Sequence, residues 1–200
     1  MKRFRDKKAW IFDMDGTLTI AAHDFAYIRG ELELPMDEGI LESLARLPPE
    51  EAAKKRKRLD EIELETARAS RPSPGARELL EELRNRRVHL GIFTRNSGRN
   101  VEETLRAVGF AEFFPENHRV DRDTAPPKPD PQGIRLLLSR WNRTPGEAVM
   151  VGDYLYDLQA SRALGVENIY LDPSEEFPHG EFADFRLSGL DQIKPDSGNA

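Results

Sequence analysis

Six residues of this chain are of the types that handle a phosphoryl group: Asp13, Asp15, Thr94, Lys128, Asp153 and Asp157. Asp13 and Asp15 close an apolar run, Trp10-Ile11-Phe12, and Gly16 follows them. Three carboxylates around one point repel strongly unless a cation sits between them. Such a site has room for a divalent metal, a phosphate and an attacking carboxylate. Asp13 could attack phosphorus and form an aspartyl phosphate, which splits one hard step into two. Asp15 could protonate the leaving oxygen and then take a proton from the hydrolytic water. Mg²⁺ takes about six oxygens and keeps several waters; Asp13, the carbonyl of Asp15 and Asp153 would supply the protein's share, with Asp157 holding Asp153 or a bound water. Mn²⁺ suits the same oxygen donors. The Thr94 hydroxyl would hold phosphoryl oxygens and Lys128 would neutralise their charge.

These roles require distant residues to meet, and the element pattern predicts that they do. Residues 9–12, 88–94, 148–151 and 168–171 read as buried strands, and 185–187 as a last edge strand. Between them 76–87, 97–108, 130–141 and 157–164 read as helices; Ser97 is a cap, Pro131 sits in a first turn, and Gly109 and Gly165 are stops. This alternation predicts an α/β fold with a doubly wound parallel sheet and helices on both faces. Ligands of such sheets bind at the carboxyl ends of the strands. Asp13, Thr94 and Asp153 all fall there, and Lys128 lies in a proline-rich loop just before a helix. Asp13 and Asp15 would face opposite sides of a continuing strand, but Gly16 lets the backbone turn so that both reach one cavity. Taken singly, each signal has a plainer reading: Asp-x-Asp-Gly is a common turn, Thr94 a strand end, Lys128 a solvated loop residue. Their joint order at one predicted edge is what carries the inference.

Composition narrows the field. The 200 residues are 38% apolar and 33% charged, an ordinary ordered globular chain with room for one α/β domain and a small attachment. A formal charge of -6 argues against nucleic acid as the main partner. Without cysteine there is no disulfide, thiol nucleophile or cysteine metal site. No apolar stretch approaches the ~20 residues that span a bilayer, and no signal core follows the basic start. The expectation is a soluble, unexported, cytoplasmic protein without a membrane partner. Oligomeric state is left open, a monomer being sufficient.

The motifs Phe12-Asp13-Met14-Asp15-Gly16-Thr17-Leu18-Thr19, Phe93-Thr94-Arg95-Asn96, Lys128-Pro129-Asp130-Pro131 and Val151-Gly152-Asp153-Tyr154-Leu155-Tyr156-Asp157 resemble those of the haloacid dehalogenase-like hydrolases, in their phosphatase branch. The first and last are highly specific, and the resemblance spans roughly residues 8–193. It implies a Rossmann-like core and an Mg²⁺-dependent phosphatase of small phosphorylated metabolites. It implies Asp13 as nucleophile, Asp15 as acid and base, and Asp13, Asp15, Asp153 and Asp157 around the metal. Thr94, Arg95, Asn96 and Lys128 would bind substrate. Asp15 points to ester hydrolysis, since dehalogenating relatives generally lack it. Of the chain, 80 residues separate Asp13 from Thr94 and 33 separate Thr94 from Lys128. Only the first interval holds a helical cap, as in relatives similar to phosphoglycolate phosphatase and β-phosphoglucomutase. Residues 1–19 and 72–193 are therefore expected to form the core, 20–71 a short cap that closes the site only partly, and 194–200 a flexible tail.

Several residues keep two readings. Arg95 either reaches an acidic substrate group or faces solvent. His23 and Asp24 either touch substrate or serve a hinge or helix cap. Tyr27 and Arg29 face either the site or the cap's own packing. The run 54–58 (Lys-Lys-Arg-Lys-Arg) reads as a solvated helix face before it reads as an anion site, and His89, Trp10 and Trp141 read as packing. A phosphomutase needs better shielding from water than a short cap gives. A non-catalytic protein on this fold would be expected to have lost a motif residue, and none is lost. A phospho-accepting receiver domain would carry its aspartate on a middle strand.

Overall fold

The computed structural model describes residues 4–21 and 24–193; the expectations for His23 and for residues 194–200 lie outside these. The chain runs β1 (Ala9–Phe12), α1 (Phe25–Glu31), α2 (Ile40–Ala45), α3 (Pro49–Arg68), α4 (Ala76–Asn85), β2 (His89–Phe93), α5 (Gly98–Val108), β3 (Arg119–Val120), α6 (Gln132–Trp141), β4 (Ala148–Gly152), α7 (Leu155–Arg162), β5 (Glu167–Leu171) and β6 (Phe185–Leu187), with short 3-10 turns between. One sheet of six parallel strands has the order β3-β2-β1-β4-β5-β6. This is the doubly wound α/β, Rossmann-like arrangement that the alternation predicts.

β1 is buried along its whole length because helices cover both faces of the sheet. Trp10 and Phe12 pack on one face with Leu79, Leu80 and Leu83 of α4 and Val101 and Leu105 of α5. Ala9 and Ile11 pack on the other with Ile134, Leu137 and Leu138 of α6. His89 stacks on Trp141 with centroids 5.4 Å apart, so it is a packing residue as expected. Its imidazole titrates lower than usual, chiefly because burial disfavours the charged ring.

Register brings the strand ends level. Phe12 pairs with Ile92 on one side and Val151 on the other. The Asp13 N–H then donates to the Val151 carbonyl at 2.9 Å, and that of Thr94 to the Val120 carbonyl at 3.0 Å. The chain therefore leaves β1, β2 and β4 along one edge.

Among the described residues, the interval between Leu18 and Arg71 forms three helices with a separate apolar cluster of Ile28, Leu32, Leu34, Leu44, Leu59 and Ile62. α1 is capped by Asp24, whose carboxylate accepts from the Tyr27 N–H at 2.9 Å. α3 starts at Pro49 with Glu50 and Glu51 in its first turn. Two members of the basic run work locally. Lys55 donates to the Leu32 carbonyl at 2.6 Å, and Arg58 pairs with Glu31 at 2.7 Å, tying α3 to α1.

The helix starts differ from expectation by two residues. α6 begins at Gln132, its first N–H taken by the Asp130 carboxylate at 2.8 Å. α7 begins at Leu155, before Asp157. β3 is a strand the sequence does not announce: two residues carry no periodicity.

Candidate active site

The backbone turns sharply after β1. Gly16 has φ +79°, and a Cβ there would lie 1.9 Å from Asp153 Oδ2. Glycine therefore serves twice, in backbone angle and in close approach. The turn is held by the N–H of Thr19 donating to the Met14 carbonyl at 2.9 Å. It presents Asp15 beside Asp13: the Asp15 carboxylate accepts from Asn96 Nδ2 at 2.5 Å and from the Thr19 hydroxyl at 3.5 Å.

Lys128 enters from the loop before α6, its peptide bond to Pro129 cis. Its side chain is buried, and Nζ stands 2.6 Å from Asp13 Oδ1 and 2.6 Å from Asp157 Oδ1. Asp157 is the third residue of α7 and its other oxygen accepts the Tyr154 N–H at 3.1 Å, which fixes the carboxylate at the helix start. That bond explains why α7 starts before Asp157. Thr94 is buried at the end of β2, and its hydroxyl oxygen accepts the Asn96 N–H at 3.2 Å. The hydroxyl proton is thus left to donate into the cavity.

Asp13, Asp153 and Asp157 each offer a carboxylate oxygen within 4.8 Å of the other two. Loss of water is the first cause that raises Asp153 well above the usual carboxylate range, and the charges of Asp13 and Asp157 raise it further. Burial likewise pushes Asp157 up to about 6; Lys128 opposes this and Asp13 adds to it. Burial would lower Lys128, but the two carboxylates outweigh it and its ammonium is held above the ordinary range. One lysine cannot balance three acids. A hard, oxygen-seeking divalent cation fits this donor set, and Mg²⁺ or Mn²⁺ meets that description.

The six candidates and Arg95 and Asn96 all line one cavity of about 400 Å³ between the sheet edge and the inserted helices. Arg95 lies at the cavity wall, only partly exposed, with its guanidinium held by the protein. Both oxygens of Glu42, on α2, accept from its Nη2 at 2.8 Å, Nη1 donates to the Lys128 carbonyl, and the guanidinium lies 4.7 Å over the Tyr156 ring. Arg29 lines the cavity as well, while half-exposed Tyr27 does not. Tyr154 stands half-exposed at the rim, its ring edge-on to Tyr156.

Two positions escape sequence reasoning. Arg122 pairs with Asp60 at 2.5 Å and with Glu63 at 2.9 Å, both on α3. Glu42 holds Arg95. Their only sequence signal is charge in a charged chain.

A profile described as haloacid dehalogenase-like hydrolase matches residues 10–171. An uncharacterized hydrolase of Saccharomyces cerevisiae is 30% identical over 93% of this chain and 88% of its own. The N-acetylmuramic acid 6-phosphate phosphatase of Pseudomonas aeruginosa is 29% identical over 90% of this chain and 89% of its own. Among solved structures, a hydrolase from Pseudomonas syringae superposes with a TM-score of 0.78 at 22% identity, over 92% of this chain and 95% of that one; it shares the fold. No helix among the described residues is long and apolar enough to cross a membrane.

Proposed function

We propose that this chain, which belongs to the haloacid dehalogenase-like hydrolase family, hydrolyses a small phosphomonoester through a phosphoryl group carried on Asp13. The N-acetylmuramic acid 6-phosphate phosphatase among its relatives is named for hydrolysis of a phosphomonoester. The observation that carries the reading is Lys128, 2.6 Å from Asp13 inside a cluster of three carboxylates.

The Asp13 carboxylate attacks phosphorus as the ester P–O bond breaks, and Asp15 gives its proton to the departing oxygen. Water then attacks the phosphorus of the aspartyl phosphate. Asp15 takes a proton from that water, Asp13 leaves, and inorganic phosphate is released. Asn96 orients Asp15 for both transfers. Lys128 and the Thr94 hydroxyl bind the non-bridging oxygens; Lys128 arrives already positioned by Asp157. Bound Mg²⁺ would supply charge neutralisation and a fixed in-line orientation, held by Asp13, Asp153 and the Asp15 carbonyl with Asp157 in support. The three inserted helices would act as a cap that limits water at the reacting atoms.

Purified protein should release phosphate from an aryl phosphate with Mg²⁺ and stop when the metal is chelated. Asp13→Asn should lower kcat by about a thousandfold or more and leave the circular dichroism spectrum unchanged. Near-normal turnover of Asp13→Asn ends the proposal.

A further inference from the structure

We infer that the substrate has an uncharged leaving group with an apolar face and no second anionic group, an inference that rests on the phosphatase reading above. Away from Asp13 the cavity is bounded by Phe25, Ile28, Met36, Ile40 and Leu41 of the insertion and by Tyr154 of the core. Phe25, Met36 and Tyr154 remain 55%, 62% and 50% exposed. A ligand that covers them removes apolar surface from water.

The arginines of that region are committed elsewhere. Arg95 spends one nitrogen on both oxygens of Glu42 and another on a backbone carbonyl. Arg122 is paired with Asp60 and Glu63 and donates to the Arg95 carbonyl at 3.3 Å. Arg29 gives Nε to the Glu38 carbonyl and Nη1 to that of Phe25. Asp37, Glu38 and Glu63 line the same space. At Arg95, the arginine beside Lys128, a substrate carboxylate or second phosphate would have to displace Glu42, leaving two like charges close together. The one phosphoryl group is met by Lys128 and Thr94, and the rest of the ligand meets apolar side chains.

Benzyl phosphate and 4-carboxybenzyl phosphate test this as a matched pair, with Mg²⁺ and the full chain. The benzyl ester should show a kcat/KM at least tenfold higher. Glu42→Gln, which frees Arg95, should narrow that ratio severalfold. An equal or reversed preference in the native chain overturns this inference alone, as does an unchanged ratio in a folded Glu42→Gln protein. Phosphate release from neither ester overturns the phosphatase reading and this inference with it.

Discussion

Lys128 carries one positive charge between Asp13 and Asp157, and Asp153 stands beside them. Like charges held within 4.8 Å of one another repel by roughly 3 kcal/mol or more at an effective dielectric of about 20. The cluster therefore opposes folding at neutral pH whenever no metal is bound. The sign follows from Asp157, held at about 6 in the folded chain against about 4 when unfolded. Between those values the folded protein binds more protons than the unfolded one, so stability falls as pH rises from about 4 to about 6 and then levels. In chelator, this group should cost on the order of 1 kcal/mol at pH 7 relative to pH 5. Mg²⁺ should raise Tm more at pH 7 than at pH 5, since protons compete for its ligands. Calorimetry at the two pH values, with and without the metal, checks this; a larger Mg²⁺ shift at pH 5 would contradict it. Asp13, Asp15, Thr94, Lys128, Asp153 and Asp157 were legible in the sequence because each sits just past a strand end, in a marked loop or, for Asp157, in the first turn of the helix that follows β4, where topology fixes its position. Glu42 and Arg122 were not. Their bonds span 53 and about 60 residues and depend on the angle at which helices dock, which local pattern does not encode.

At the level of elements, the turn after β1 is the tightest point of the site. Gly16→Ala must strain a left-handed residue and push Asp153 aside. It should lower stability by about 1–3 kcal/mol and weaken Mg²⁺ binding, read by titrating the metal against activity. The insertion is joined to the sheet edge through buried charge. Arg122→Ala removes the guanidinium paired with the largely covered Glu63 and should cost about 3 kcal/mol in denaturant titrations. Arg122→Lys should recover part of it, having charge without the fork. Strong periodicity and caps made most elements readable: Ser97 and Gly109 bound α5 as their residue types suggest. The errors fall where one side chain outweighs pattern. Asp157 accepting the Tyr154 N–H moves the start of α7 back by two residues, and Asp130 does the reverse at α6.

For the molecule as a whole, the parallel sheet could be inferred because β1 and β4 are apolar without alternation, which only burial on both faces explains. The order of the strands needs the register observed between them. Its outermost members are short: β3 contributes two residues and β6 three. A foreign strand arriving at either margin would find almost no run of open amides and carbonyls to zip along. The sheet thus ends itself at both sides, and its tendency to grow by recruiting neighbouring chains is curbed by geometry alone.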